Sequence, residues 1–534
     1  MASRAAKHPL LASPHRVNIA LSLLAGLLVA SSFPPVDSHS LIWIGLVPLL
    51  WVIDRSANPR AAFMFGALAA ALCALMVLHP LVSASSWAGW ANESHELFAA
   101  RMGRQWWCLH GLWLIGALWG AFFWGSWAFC VRLLAPRGGW RLLFVAPSAW
   151  IVIPEWLRVQ TTFGFTWALL GNATASCSAI RQLAALGGVW LLSGLVVVVN
   201  VGIAALVTRT HSSRRWPVPV VACSLLIAAW SYGAWVVHRP APTSASFLAV
   251  AVQSQKTRYT MDDFESSGFD RQYRGLIKDA LHQAPRLIVL PESIALGVIS
   301  LDGTVSSTKP AQWQHARSLW EREIATLLRG SRTILIAGLD TVEGGADHNT
   351  LIAWTAEGIA GWYHKRQLVP FAESLPFPWS RGMLRGRAIY APGAGSQLLH
   401  LEDLVLGGFI CQEVLFPWVT RESVRDGATI LISGGNDGVF ENPAVARVHA
   451  AVAQLRAVET GRYLVRAMKT GISAIIDPHG REVVRSHSSE PAMLQAQIIP
   501  QQTRTLYVQW GDWVVWWAWV LTLAGGILRS RHAM

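Results

Sequence analysis

The chain has 534 residues, 53% of them hydrophobic and 14% charged, with a mean hydropathy of +0.36. Soluble domains carry about 25% charged residues, so composition points away from a purely soluble protein and toward membrane residence. The 44 Lys and Arg against 31 Asp and Glu give a net charge of +13, but no compact basic stripe interleaved with aromatics is present, which argues against a nucleic-acid partner.

The basic residues sit in short clusters between apolar runs: Arg55 and Arg60; Arg132, Arg137 and Arg141; Arg209, Arg214 and Arg215; Arg529 and Arg531. Polytopic membrane proteins distribute charge in this way. Candidate spans run near 17–33, 41–54, 61–83, 111–134, 140–157, 186–208 and 217–236, close to the length of about 20 apolar residues that a bilayer requires. The first run follows Arg4, Lys7 and Arg16, and V-A-S at 29–31 resembles a signal-peptide cleavage site. Six further runs follow, so an uncleaved first helix is expected. With the N-terminal cations inside, the even-numbered loops fall inside and carry the basic clusters. Both termini are then expected in the cytoplasm, with residues beyond 240 on the far side of the membrane.

From 240 to 508 the apolar runs shorten and strand and helix patterns alternate. Phe247–Val252, Leu287–Leu290, Thr333–Ala337, Val405–Ile410 and Thr429–Ile432 read as buried strands; Ser318–Arg329 and Ala444–Val458 read as amphipathic helices. This alternation predicts a layered α/β domain. A last apolar run, Trp513–Leu528, predicts an eighth span within 509–534, so the chain divides into 1–239, 240–508 and 509–534. Tryptophan is abundant, with 29 residues. Trp-rich segments lie near 85–119 and 362–379, where Trp at an interface serves as ordinary membrane anchoring.

Three predicted strand ends carry chemistry. L-I-V-L-P-E ends in Glu292, Y-H-K-R-Q-L-V-P presents Lys365, and G-G-F-I-C presents Cys411, the only cysteine in the second half of the chain. A thiol attacks as its thiolate and needs a base or cation nearby; a carboxylate and an ammonium would complete a covalent acyl-transfer set. Each residue also has a plainer reading: Cys411 as a small core hydrophobe, Glu292 as a solvated strand-end charge, and Lys365 with Arg366 as a basic loop. An oxidising compartment makes an unpaired thiol a liability unless it has a use.

The order Glu…Lys…Cys, in the contexts L-P-E, Y-H-K-R-Q-L-V-P-F and I-C-Q-E, resembles the nitrilase (carbon-nitrogen hydrolase) superfamily. The motifs A-S-S-F-P-P-V-D, L-A-A-L-G-G-V-W-L-L-S-G-L, L-R-A-V-E-T-G-R-Y-L-V-R-A and the closing G-D-W resemble the apolipoprotein N-acyltransferase family across nearly the whole chain. The resemblance implies a polytopic α-helical membrane domain plus a nitrilase-like αββα sandwich facing the outside of the bacterial inner membrane. It implies ping-pong acyl transfer from a phospholipid, through a Cys411 thioester, to the N-terminal amine of a diacylglyceryl-cysteine lipoprotein. On that implication the Trp-rich segments near 85–119 and 362–379 are candidates to hold the acyl chains. Glu292 would be the base, Lys365 the oxyanion stabiliser, and Glu373 and Glu413 would fix Lys365 and the active-site loops, their plainer reading being surface carboxylates.

Departures from the family pattern gather close to these residues. Gln412 stands where the family has Tyr, N-D-G-V-F-E (436–441) replaces N-D-A-W-F-G, and Ala372 replaces a Gly. Gln454 replaces an Arg, and Lys469-Thr470 replaces an Asn pair. The alternatives are therefore a membrane-anchored nitrilase-type amidase, an acyltransferase with a different acceptor, or a non-catalytic paralogue that binds lipoproteins. No metal-ligand spacing, Gly-rich phosphate loop or cofactor motif is present, and neither metal nor cofactor is expected.

Overall fold

The computed structural model describes residues 14–82, 95–136, 139–161, 166–207, 217–239, 245–254, 271–294, 297–306, 316–370, 372–374, 390–440, 442–487 and 490–530. The N-terminal part is a helix bundle: α1 (Pro14–Ala30), α2 (Val47–Arg55), α3 (Pro59–Val82), α4 (His95–Leu134), α5 (Trp140–Trp150), α6 (Ala184–Val207) and α7 (Pro217–Val237). Among the described residues, five stretches can cross a bilayer by length and composition: Pro14–Ser31, Pro59–Val82, His110–Leu134, Ile180–Val207 and Pro217–Val237. Their shared core includes the buried rings of Trp127 and Trp150, whose centroids lie 4.8 Å apart.

Two expected spans are not simple helices. The 41–54 run is broken into a 3-10 turn (His39–Trp43) and the nine-residue α2. Asn200 of α6 satisfies the break: its side chain accepts from Leu46 N at 2.8 Å and donates to Ile42 O at 2.9 Å. Irregular backbone at such depth survives only where protein partners meet its polar groups. The 140–157 run is α5 continued by a π-helical turn, Ile151–Leu157, that contains Pro154, a residue that cannot donate to the helix ladder.

Contacts at the two ends of the bundle show that successive segments alternate in direction. At one end the α/β domain meets the 31–38 loop, where Arg447 pairs with Asp37 at 2.9 Å. It also meets the 175–183 region, where Arg181 donates to Gln454 Oε1 at 2.6 Å. At the other end Arg132, closing α4, donates to Ser56 O at 2.8 Å just past α2. The 39–55 segment therefore runs the full height of the bundle despite its break.

The α/β domain holds two sheets. The first has the order β13 (Ala492–Ile498), β1 (Phe247–Gln253), β2 (Leu287–Val289), β4 (Ile334–Glu343), β5 (Ala346–Thr355), β6 (Gly358–His364), with β3 (Val298–Ser300) beside β4. The second has the order β12 (Glu482–Arg485), β11 (Ala474–Ile476), β10 (Leu464–Met468), β9 (Ile430–Gly435), β8 (Leu404–Ile410), β7 (Leu399–Leu401). In each, a central set runs parallel: β1, β2 and β4 in the first, β8, β9 and β10 in the second.

Inner faces of both sheets share one core, with Ala251, Val289 and Ile336 packed against Leu406, Ile432 and Val465. Helices α8 (Arg271–Leu281) and α9 (Ala316–Leu328) cover the outer face of the first sheet. Helices α10 (Pro417–Arg425) and α11 (Pro443–Thr460) cover that of the second. Four layers, αββα, result. All five expected strands and both expected helices lie within or close to observed elements.

α11 also docks the domain onto the bundle. Leu455 and Val458 pack with Val189, Trp190 and Leu192 of α6. α6 breaks at Gly187–Gly188, and the buried carboxylate of Glu459 accepts from Val189 N at 2.9 Å just past that break. The closing G-D-W sits at the same junction. Asp512 accepts from Trp190 Nε1 at 2.9 Å and Arg421 Nη1 at 2.6 Å, and α12 (Trp513–Ser530) leaves from there into the bundle.

Candidate active site

Glu292, Lys365 and Cys411 all stand at strand ends, on both sheets, and meet in one buried cluster. Glu292 follows β2 by three residues. Gly338 on β4 makes room for it: a Cβ there would lie 2.5 Å from the Glu292 Cα. Lys365 is the first residue past β6 and is 1% exposed. Its backbone N–H donates to Asn349 O at 2.8 Å, which extends the β5–β6 ladder by one bond. The rings of His348 and His364 stack at 4.1 Å immediately before Asn349 and Lys365 and fix the register there.

Cys411 turns the chain from β8 into a 3-10 helix with φ of 52°. A non-glycine residue holds that conformation only where its surroundings impose it. The thiol is free and 8% exposed.

The charges are arranged asymmetrically. Lys365 Nζ donates to Glu373 Oε1 at 2.7 Å and lies 3.8 Å from Glu292 Oε1. Asn349 Nδ2 donates to Glu292 Oε1 at 2.6 Å and lies 3.2 Å from Glu373 Oε1, so one amide links both carboxylates. The second Glu373 oxygen accepts from Val369 N at 2.8 Å, closing the loop after Lys365.

Burial pushes the Glu292 carboxyl up, and Glu373 adds to this while Lys365 and Asn349 oppose it. Burial alone would lower Lys365, but Glu373, Glu292 and Cys411 outweigh it and hold the ammonium charged beyond its ordinary range. Burial and the Glu292 charge push the Cys411 thiol well above its ordinary value, against Lys365 and the Asn436 backbone amide. The resting thiol is therefore protonated and needs a base to become a nucleophile. Lys365 is matched to Glu373, which leaves Glu292 the less neutralised carboxylate. Glu292 is suited to take that proton.

Glu413 is 0% exposed, which rules out a surface role. Its hydrogen bonds go to the backbone beside Lys365 rather than to the Lys365 ammonium. It accepts from Arg366 N at 2.8 Å, Gln367 N at 2.9 Å and Ile410 N at 2.7 Å, and the Tyr363 hydroxyl lies 2.9 and 3.0 Å from its two oxygens. It thus ties the strand end that carries Lys365 to the one that carries Cys411.

The departures named above gather around the thiol. Gln412 donates to Gln367 O at 3.2 Å. Gly438 and Thr470 face each other: a Cβ at 438 would lie 1.9 Å from Thr470 Oγ1, so those two replacements are one change in space. Gln454, in contrast, sits at the junction with Arg181. The sequence reading missed Asn349 and Tyr363, and it met Asn436 and Lys469 only within departures from the family pattern, with no role at the site. Of the Trp-rich segments expected to hold acyl chains, 85–94, 371 and 375–379 lie outside the described residues, as do the side chains of 95–106.

Among the described residues no cluster of three or more His, Cys, Asp or Glu side chains could hold a metal ion. What the cluster can do chemically is covalent: a thiol, a carboxylate to deprotonate it, and a fixed ammonium to stabilise an oxyanion.

Residues 25–202 match the apolipoprotein N-acyltransferase N-terminal domain, and residues 265–507 match the carbon-nitrogen hydrolase family. The apolipoprotein N-acyltransferase of Gloeobacter violaceus is 29% identical over 514 residues, covering 94% of this chain and 92% of that protein. Those of Caulobacter vibrioides (28%, 96% and 94%) and Azotobacter vinelandii (29%, 96% and 95%) align to the same extent. Among solved structures, an amidase of the nitrilase superfamily from Nesterenkonia AN1 has a TM-score of 0.38 at 18% identity, covering 52% of this chain and 98% of that one. Both domain models lie in one chain in the order found here, and curated relatives align along nearly all of it: the chain belongs to the apolipoprotein N-acyltransferase family.

Proposed function

We propose that this membrane protein N-acylates lipoproteins by a ping-pong reaction at Cys411. Glu292 takes the Sγ proton as the sulfur attacks the ester carbonyl of a phospholipid. Lys365 stabilises the tetrahedral oxyanion. The C–O bond breaks, the proton passes to the leaving glycerol oxygen, and a lysophospholipid departs from a thioester acyl-enzyme. The N-terminal amine of a diacylglyceryl-cysteine lipoprotein then attacks the thioester, forming an amide and returning the proton to the thiol. The observation that carries this reading is the buried convergence of Glu292, Lys365 and Cys411 on a domain docked against apolar helices.

Five stretches before residue 240 able to cross a bilayer, with the 39–55 segment and the α5–π-turn segment read as two further crossings and Trp513–Ile527 as the last, support placing the α/β domain outside the bacterial inner membrane. The basic clusters at 55–60, 132–141 and 209–215 then lie on the cytoplasmic side with both termini. Two lipid-anchored substrates would meet such a tethered domain in two dimensions, at high effective concentration.

A second reading rests on the replaced neighbours of Cys411, Gln412 and the Gly438–Thr470 pair: the same acyl-enzyme chemistry with a different acceptor, or hydrolysis of amides. The test is thioester trapping. Purified full-length protein is incubated with acyl-labelled phospholipid, and a hydroxylamine-labile label is expected on wild type and absent from Cys411→Ala. Label that persists in Cys411→Ala, or never forms on wild type, would sink the mechanism. Label that forms but fails to move to a diacylated lipopeptide would favour the second reading.

A further inference from the structure

Behind Cys411, between the second sheet and α11, lies another group of buried charges: Asp437, His449 and Arg466. His449 Nδ1 lies 2.7 Å from Asp437 Oδ1, and Arg466 Nη2 donates to Asp437 Oδ2 at 3.3 Å. Burial alone would raise the Asp437 carboxyl, but His449 and Arg466 outweigh it and hold it below its ordinary range. An ionised carboxylate only accepts hydrogen bonds, so the imidazole proton sits on Nδ1. His449 Nε2 has no hydrogen-bond partner among the described residues. A buried imidazole with one nitrogen unmatched is costly, and the bond to Asp437 is what it supplies in return.

Asp437 opens the turn after β9. Its N–H donates to Thr470 O at 3.0 Å, and its carbonyl accepts from Phe440 N at 3.0 Å. The strand end before it runs close to the nucleophile: a Cβ at Gly435 would lie 3.2 Å from the Cys411 Cα. Between Gly435 and Asp437, the Asn436 backbone amide meets the sulfur. Burial and Glu292 raise the Cys411 thiol, Asp437 adds to them, and the Asn436 amide opposes them. A carboxylate so placed works against the thiolate by its charge. Its contribution lies in where it holds the chain.

We propose that His449 is a positioning residue for Cys411: its Nδ1–H pins the Asp437 carboxylate and thereby holds the Asn436 amide on the sulfur. This rests on Cys411 being the nucleophile and Glu292 its base. Arg466 fixes the other carboxylate oxygen from β10, so the turn is held between a helix and a strand. That helix, α11, is also the one that docks the domain onto the bundle.

The test needs no acyl substrate. Full-length protein in detergent is alkylated with iodoacetamide at one pH, and the rate at the Cys411 peptide is read by mass spectrometry beside a melting curve. Asn carries its amide nitrogen where His carries Nδ1, whereas Gln carries it nearer Nε2. His449→Asn should therefore keep the Asp437 bond and alkylate within about twofold of wild type. His449→Gln, closer to His in size, should slow about tenfold, the scale of one hydrogen bond to a charged group. Filling space alone would reverse that order.

Should His449→Gln fail to fold, Asp437→Asn tests the same bond from its other side. It removes an anion near the thiol, so charge alone predicts faster alkylation. Its amide also turns a donor toward Arg466 or His449, so displacement of the turn predicts a slowing of about tenfold. Gln at the wild-type rate, Asn as slow as Gln, or faster alkylation in Asp437→Asn overturns the role given to His449. A wild-type rate that survives Glu292→Gln overturns the assignment of Glu292 itself, whatever the His449 variants do.

Discussion

Two buried glutamates flank Cys411, and their partners differ. Glu413, two residues beyond the thiol, meets three backbone amides and the Tyr363 hydroxyl. Glu292, arriving from the other sheet, has one amide at 2.6 Å and an ammonium at 3.8 Å. Burial pushes both carboxyls up. What separates them is how fully each is occupied: one carboxylate is consumed in holding backbone, the other keeps capacity to accept a proton. The sharpest way to break this comparison is to neutralise each in turn. Glu292→Gln should slow thioester formation by about 10³-fold, the scale of a lost general base, and leave the thermal midpoint near wild type. Glu413→Gln turns an amide NH2 toward N–H donors and should cost about 3 kcal/mol of stability. Rates and melting curves on the same preparations check both. If Glu292→Gln melts early or Glu413→Gln stays stable, the division of labour is wrong.

A third buried glutamate sharpens the contrast by pH. Glu459 docks the α/β domain by accepting from Val189 N, and burial raises its carboxyl from 4.5 to about 7 against the pull of Arg456. A proton is then held more tightly in the folded state, so this group contributes fully below about 4.5 and its contribution is lost as pH rises through about 7. Glu292 and Glu413 act with the same sign. These carboxyls favour a higher melting point at pH 5 than at pH 8, and His364 and His479, both lowered by burial, oppose them. Glu459→Gln should shift the gap between the two pH values by removing one share of the carboxyl contribution. An unchanged gap in the variant would show that Glu459 is ionised throughout and that Arg456 decides its state.

The legibility of this site followed the same division. Glu292, Lys365 and Cys411 were visible because each ends an apolar run, and a titratable residue at a strand end stands out from its neighbours. Asn349 was not, because it lies inside β5, where nothing local marks an amide that bridges two carboxylates. The β4–β5 hairpin did leave a signal in Gly344–Gly345, whose φ values of 58° and 75° suit a two-residue turn; it passed unread because the segment after it lacks clean alternation. Lys469 shows in the sequence only as a departure from the family pattern, until the two sheets are stacked and its ammonium meets the Ser293 carbonyl. The broken 39–55 segment was legible as an apolar run, but not as a break, because its partner Asn200 lies more than a hundred residues away. Long-range partners decide what local pattern leaves open.

The smallest expected effect lies on the remaining wall of the site, the turn at 436–440. Asn436 Oδ1 accepts from Gly438 N at 3.1 Å and from Thr470 Oγ1 at 3.1 Å, while the Asn436 backbone amide favours the Cys411 thiolate. Gly438→Ala would drive its Cβ into Thr470 Oγ1, and overpacking of this kind costs about 1–3 kcal/mol. Displacing the turn moves the Asn436 amide off the sulfur, so thioester formation should slow several-fold. Thr470→Ala alone removes one hydrogen bond, worth about 1 kcal/mol. It also opens the space that the new methyl needs. In the double variant the losses should fall short of their sum by about 1 kcal/mol, the mark of residues that share one space. Strict additivity in the melting curves would mean that the turn relaxes elsewhere, and that Gly438 and Thr470 are independent replacements rather than one.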